Sequence, residues 1–176
     1  ILLDMTHAEP NRAHKALAEL ERLGYIKGVI TQNIDNLHYM AGSKYILEVH
    51  GNTREGYCTS CGDVVDLNVL TTKVNSGEIP PICDNCQGTL RPSVVLFGDM
   101  LPEEFNIAIR DVESSDLLIV IGSSLMVAPV NYLPQMAKKL IIINMGPTAM
   151  DGFANVKIEE KAGDTLEAII EKLTEE

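Results

Sequence analysis

The chain has 176 residues and a mass of 19.3 kDa, is 45% hydrophobic and 22% charged, and so is neither disordered nor collagen-like but suited to one compact unit with a small insert. With 14 Lys and Arg against 25 Asp and Glu the net charge is −11, which argues against a nucleic-acid backbone as partner and favours a basic peptide. The longest strongly apolar run, 116–121, falls far short of the roughly 18 residues that a membrane span requires, so no membrane association is expected.

The first residues, Ile1-Leu2-Leu3-Asp4, show no basic stretch, no apolar core of a leader and no cleavage site, so a cytoplasmic location and further residues upstream of Ile1 are expected. Apolar residues at 13, 16, 17, 20 and 23 predict a helix over 12–23, with Asn11 as N-cap and Gly24 as its stop. A strand over 25–31 should follow and end in the polar cluster Thr31-Gln32-Asn33-Ile34-Asp35-Asn36. Next come a short turn bearing His38, a short strand over 46–49 ending at His50-Gly51, and a cysteine-bearing insert over 52–92. Beyond the insert the pattern predicts an extended 94–97, a helix over 103–112, a buried strand over 117–121 and a helix over 131–138. A strand over 140–144 and a last helix complete the reading; Asp164 with Glu167 three residues on forms a variant capping box, and Leu166, Ile169, Ile170 and Leu173 form the buried stripe.

The four cysteines stand as Cys58-x-x-Cys61 and Cys83-x-x-Cys86, with 21 residues between the knuckles. Two intervening residues let both sulfurs of a knuckle face one ion about 2.3 Å away, and Gly62 and Gly88 follow the knuckles where β-carbons would resist the turn. Four thiolates close the coordination sphere, so the expected ion is a structural Zn2+ rather than a catalytic one. A pair of disulfides is the alternative, disfavoured in a reducing compartment.

Alternation of strands with helices gives an α/β class with a mainly parallel sheet, in which ligands bind at the carboxyl ends of strands. The clusters Gln32-Asn33-Ile34-Asp35, Gly122-Ser123-Ser124 and Asn144-Met145-Gly146 each follow an apolar strand, and their small residues, hydroxyls and amides suit ribose and phosphate. Ser and Asn at such places are also ordinary turn formers. The G-x-G-x-x-G fingerprint is absent, which disfavours a standard nicotinamide dehydrogenase.

Taken together, these segments resemble the sirtuin (Sir2) family of NAD-dependent protein deacylases. The matching stretches are 9–14, 31–38, 48–51, the two cysteine pairs, 91–99, 122–129 and 144–148. The resemblance implies a Rossmann-like domain over 1–51 and 93–176 interrupted by a zinc-binding module over 52–92. It also implies removal of acyl groups from protein lysines with NAD as co-substrate, giving nicotinamide and O-acyl-ADP-ribose.

By the same resemblance His50 is the general base on a ribose hydroxyl, a task suited to imidazole as a class. Asn33 orients the attacking water or ribose, Asp35 with Ile34 holds the nicotinamide carboxamide, and Gln32 touches the ribose. Gly122, Ser123 and Ser124 form a phosphate and ribose loop; Asn144, Met145 and Gly146 contact the adenosine ribose; Ala162 lines the adenine pocket, unless it is plain packing. An acyl-lysine peptide is expected to add as a strand between 96–98 and 126–128, with Val95, Phe97, Gly98 and Val127 at the lysine tunnel. Phe97 and Val127 could equally be core residues. His7, His14 and His38 are read as structural or capping residues.

The family's Gly-Ala-Gly-Ile-Ser phosphate loop and Phe-Arg pair do not occur in these 176 residues. Hence the alternative of a non-catalytic nucleotide- or peptide-binding module; on either reading an incompletely covered sheet would make a homodimer unsurprising. Asn36, where the family usually has Gly, strains a turn without removing a reactive group.

Overall fold

A computed structural model describes residues 8–175; His7 lies outside the described residues. Helix α1 (Arg12–Arg22) starts where expected: the Asn11 side chain accepts from the His14 amide, and His14 Nδ1 accepts from the Asn11 amide. Strand β1 (Val29–Thr31) is shorter than the predicted 25–31, because Tyr25 and Ile26 fold back to donate their amides to the Leu20 carbonyl at the helix end. The expected turn at His38 is a short helix, α2 (Leu37–Ala41). Strand β2 (Ile46–Glu48) then pairs in parallel with β1, Ile30 opposite Leu47.

Strand β3 (Gly51–Cys58) lies between β4 (Val64–Asp66) and β5 (Leu90–Val94) in an antiparallel sheet, with helix α3 (Leu67–Asn75) beside it. The expected extended run 94–97 leaves the sheet after Val94, because the Asp99 carboxylate takes the Leu96 amide at 2.9 Å and turns the chain. Helix α4 (Glu103–Ser114) covers the predicted 103–112 and packs Ala108 and Val112 against Leu47 and Val49.

Strands β6 (Leu118–Ile121), β7 (Leu140–Ile143) and β8 (Val156–Ile158) form a second parallel sheet. The parallel strands thus fall into two sheets among the described residues rather than one. The helix predicted over 131–138 is broken into a 3-10 turn (Val130–Tyr132) and the single-turn α5 (Leu133–Met136), flanked by Pro129 and carrying Pro134 near its start. Strand β8, with only three residues, gave no periodic signal.

Alternation along β6 and β7 explains their unbroken apolar runs. Ile119, Ile121, Ile141 and Ile143 face one cluster with α1 and the last helix, α6 (Ala162–Thr174), while Leu118, Val120, Leu140 and Ile142 face another with Leu125 and Met150. Leu166, Ile169, Ile170 and Leu173 supply the predicted stripe of α6. The predicted cap does not form: α6 begins at Ala162 after Lys161, and Asp164 and Glu167 instead grip the Arg12 guanidinium of α1. Two acceptors on one arginine tie the chain's first and last described helices together.

Candidate active site and thiolate cluster

A cavity of about 420 Å³ opens at the carboxyl end of β1 and is lined by Gln32, Asn33, Ile34, Asp35, His50, Val94 and Val95. Its residues come from three directions. The 32–35 loop leaves β1, His50 joins β2 to β3, and Val94 and Val95 end β5. Gly51 makes this junction possible: its φ is +77°, and a Cβ there would lie 1.9 Å from the Ser93 carbonyl oxygen. Pairing of Gly51 with Val94 and a hydrogen bond from the Val95 amide to the His50 carbonyl bring β5 against the histidine.

His50 Nδ1 lies 3.2 Å from the Gln32 carbonyl oxygen. A carbonyl only accepts, so Nδ1 carries the proton and Nε2 keeps its lone pair for a substrate proton. The Asn33 amide donates to Thr31 Oγ1, and Asp35 Oδ1 accepts from the Leu37 amide at 3.0 Å. The cavity therefore offers an imidazole base, a carboxylate and two side-chain amides.

The remaining expected residues lie elsewhere. Gly122, Ser123 and Ser124 follow β6, and Asn144, Met145 and Gly146 follow the adjacent β7, so these two loops sit side by side. Ser123 Oγ accepts from the Leu125 amide, which helps hold Leu125 at φ 56°, and Leu125 is itself buried. Asn144 Nδ2 donates to the Gly146 carbonyl, which also accepts from Lys157 Nζ. A Cβ at Gly122 or Gly146 would meet nothing within 4 Å, so both glycines border open space, and Gly122 takes a left-handed φ of +63°. Ala162 packs among the α1 and α6 side chains. Val95 lines the cavity, whereas Phe97, 107% exposed, and Val127, 52% exposed, stand outside it, as does Gly98, which takes a turn at φ 95°. Sequence reasoning missed Val94 as a lining residue and the Lys157–Asp151–Thr148 group behind Gly146. The Lys157 and Thr148 bonds hold the Asp151 carboxyl down at about 2.

The Sγ atoms of Cys58, Cys61, Cys83 and Cys86 all lie within 4.8 Å of one another, with Cys58 to Cys86 at 3.4 Å and Cys61 to Cys83 at 3.9 Å. A tetrahedron with Zn–S of about 2.3 Å has edges of about 3.8 Å, so the four thiols fit this ion. The Ser60 and Gly88 amides donate to Cys58 and Cys86 two residues before them, and backbone bonds from Cys61 and Ser60 lower the Cys58 thiol to about 6. The expected role of the second glycine is divided: Gln87 takes the left-handed turn at φ 63°, and Gly88 allows close approach, since its Cβ would lie 2.8 Å from Cys58 Sγ.

The Sir2 family model matches residues 2–129. An NAD-dependent protein deacetylase 2 of Caldanaerobacter subterraneus subsp. tengcongensis is 59% identical over 169 residues, covering 96% of this chain and 68% of that protein. A structure described as Sir2 with a p53 peptide and NAD+ superposes with a TM-score of 0.90 at 39% identity, over 98% of this chain and 74% of that one. A second, described as Sir2 with the inhibitor EX-527, 2'-O-acetyl-ADP-ribose and a deacetylated p53 peptide, gives 0.87 at 39% identity, over 96% and 74%. No described helix is long and apolar enough to cross a membrane. With most of its length matched by the family model and a relative well above a third identical, the chain belongs to the Sir2 family.

Proposed function

We infer that this protein removes acyl groups from lysine side chains of proteins in an NAD-dependent reaction, with zinc as a structural ion. The observation that carries the reading is His50, whose Nδ1 is committed to the Gln32 carbonyl and whose ring lines the cavity together with Asn33 and Asp35. When bound, NAD would supply a ribose carbon that accepts the acyl oxygen as the bond to nicotinamide breaks; one water then replaces the lysine nitrogen at the acyl carbon, freeing the amine and leaving the acyl group on ADP-ribose. In this reading the loop Gln32–Asp35 holds the nicotinamide end, Asp35 through its free Oδ2 and Asn33 through its carboxamide. His50 Nε2 takes a ribose hydroxyl proton. Gly122, Ser123, Ser124, Asn144, Met145 and Gly146 hold phosphate and ribose, and Ala162 lies at the adenine.

The acyl-lysine peptide runs along the exposed 96–98 and 126–128 segments, where Leu96, Phe97, Met126 and Val127 offer unpartnered apolar surface. Desolvation of an acylated lysine costs far less than that of a charged one, which suits such a surface. Four free thiols held for a metal suit a reducing compartment, in keeping with a cytoplasmic location. The non-catalytic alternative has no geometric support, since base, carboxylate and amides share one cavity.

The test is nicotinamide release from NAD with an acetyl-lysine peptide, using the native polypeptide that carries this chain. Release should fall by about 10²–10⁴-fold in His50→Ala with zinc content unchanged. Undiminished release in that variant would remove His50 from the reaction, and no release from the wild type would overturn the deacylase reading.

A further inference from the structure

The 32–36 loop lies in neither helix nor strand, so its shape must be imposed by side chains around it. His50 holds it at the Gln32 carbonyl. A second set of bonds holds its other end. Thr53 Oγ1 donates to the Ile34 carbonyl at 2.8 Å and accepts from Asn36 Nδ2 at 2.9 Å. Arg54 Nη1 donates to Asn36 Oδ1 at 2.5 Å and to Glu48 Oε1 at 2.7 Å, while Nη2 reaches Glu48 Oε2.

Asn36 sits at φ 64°, a left-handed conformation that few residues with a Cβ adopt. Both ends of its carboxamide are engaged, one by Thr53 and one by Arg54. The Arg54–Glu48 fork is partly withdrawn from water, with side-chain exposures of 35% and 14%, and the Arg54 guanidinium lies 5.4 Å from the Tyr39 ring centre. A paired, planar cation in that setting has little freedom to leave.

We propose that Thr53, Asn36 and Arg54 are positioning residues that fix the Ile34 carbonyl and thereby aim Asn33 and Asp35, on either side of it, at the nicotinamide end of the cofactor. The proposal rests on the deacylase reading for the role of those two side chains. Glu48 and Thr53 bracket His50 in sequence, so the same short stretch that presents the base also sets the loop opposite it. The clamp has no bond to Leu96–Gly98 or to Met126–Ala128 among the described residues, so it should act on nicotinamide and not on peptide.

The native polypeptide is compared with Thr53→Val, which keeps shape and loses the hydroxyl, Thr53→Ser, which keeps it, and Asn36→Gly, which keeps the left-handed turn and loses both bridges. Nicotinamide inhibition, peptide KM and amide hydrogen exchange over 33–37 in the unliganded protein are measured. Thr53→Val and Asn36→Gly should weaken nicotinamide inhibition by about tenfold, the scale of one hydrogen bond, and speed exchange in the loop. Peptide KM should stay within about twofold, and Thr53→Ser should match the wild type. Unchanged inhibition and exchange would overturn the clamp, as would a parallel loss of peptide affinity and thermal stability. A wild type that turns over no acyl peptide would instead sink the deacylase reading, while exchange over 33–37 still decides whether the clamp sets the loop.

Discussion

In the β6–β7–β8 sheet the side chains of β6 and β7 alternate between two apolar clusters, and Ile142 and Ile143 of β7 are fully buried, as is Leu166 of α6. The β4–β3–β5 module buries Leu70 and Leu90 beside two of its own thiols, Cys58 and Cys83, with Val65 and Val74 only partly covered. One region is held by burial of branched aliphatic side chains from several elements; the other has too little apolar surface to close without a metal. His50 and Gly51 lie where the chain passes from β2, in the β1–β2 sheet, into β3 of the module.

Removing the metal should set the two regions apart most severely. Structural zinc contributes apparent free energies of about 10–16 kcal/mol at pH 7, so a strong chelator should release one zinc and collapse the module. Amide exchange should then rise throughout β3, β4 and β5, while β6, β7 and β8 stay protected. Protection of β3 to Cys58 in the metal-free protein would show that the apolar residues suffice. Leu166→Ala probes the other side with a smaller effect. Its side chain is 0% exposed between α1 and β7, so its loss should destabilise the body by about 2–5 kcal/mol. Calorimetry should show that fall while zinc content is unchanged; loss of zinc in this variant would mean that the two regions fold as one.

Much of this contrast is legible in the sequence. Spacing alone marks the thiolates, because ligand geometry fixes two residues between partners, and the runs 117–121 and 140–144 mark strands buried on both faces. The candidate site is legible chiefly through local motifs: 32–35 and His50 come together as the strand ends suggest. What could not be read depends on contacts remote in sequence. Asp164 resembles a cap, yet Arg12, 152 residues away, recruits it as an ion-pair partner. Asn36 looks like a strained turn until Thr53 and Arg54 are seen to hold its carboxamide. Lys157 lies on a strand too short to announce itself, and only its reach to Gly146 ties it to the 144–148 loop.

The smallest expected effect separates the regions by acid. His14 and His38 stack edge to face at 4.6 Å between α1 and α2, and His38 Nδ1 is buried with no partner among the described residues. Burial lowers the proton affinity of both rings, and the charge of His14 lowers that of His38 further; Asp35 opposes this for both, and Glu48 for His38. Their folded values therefore lie below the unfolded value of 6.5, and between the two the unfolded chain binds more protons. Stability from this pair is complete above that unfolded value and is lost as pH falls through the folded values. The melting temperature should therefore fall as pH is lowered from about 7.5 to about 5.5. His38→Leu removes the titrating ring and its unpaired nitrogen together, and should flatten that slope. Acid also competes with zinc for the thiolates, so the midpoint alone does not assign the cause. Exchange resolved by residue does: in His38→Leu, which leaves His14 to titrate, the acid response should shrink in α1 and α2 and persist unchanged in β3 and β5. An undiminished response in α1 and α2 would place the acid sensitivity of the body elsewhere than in His38.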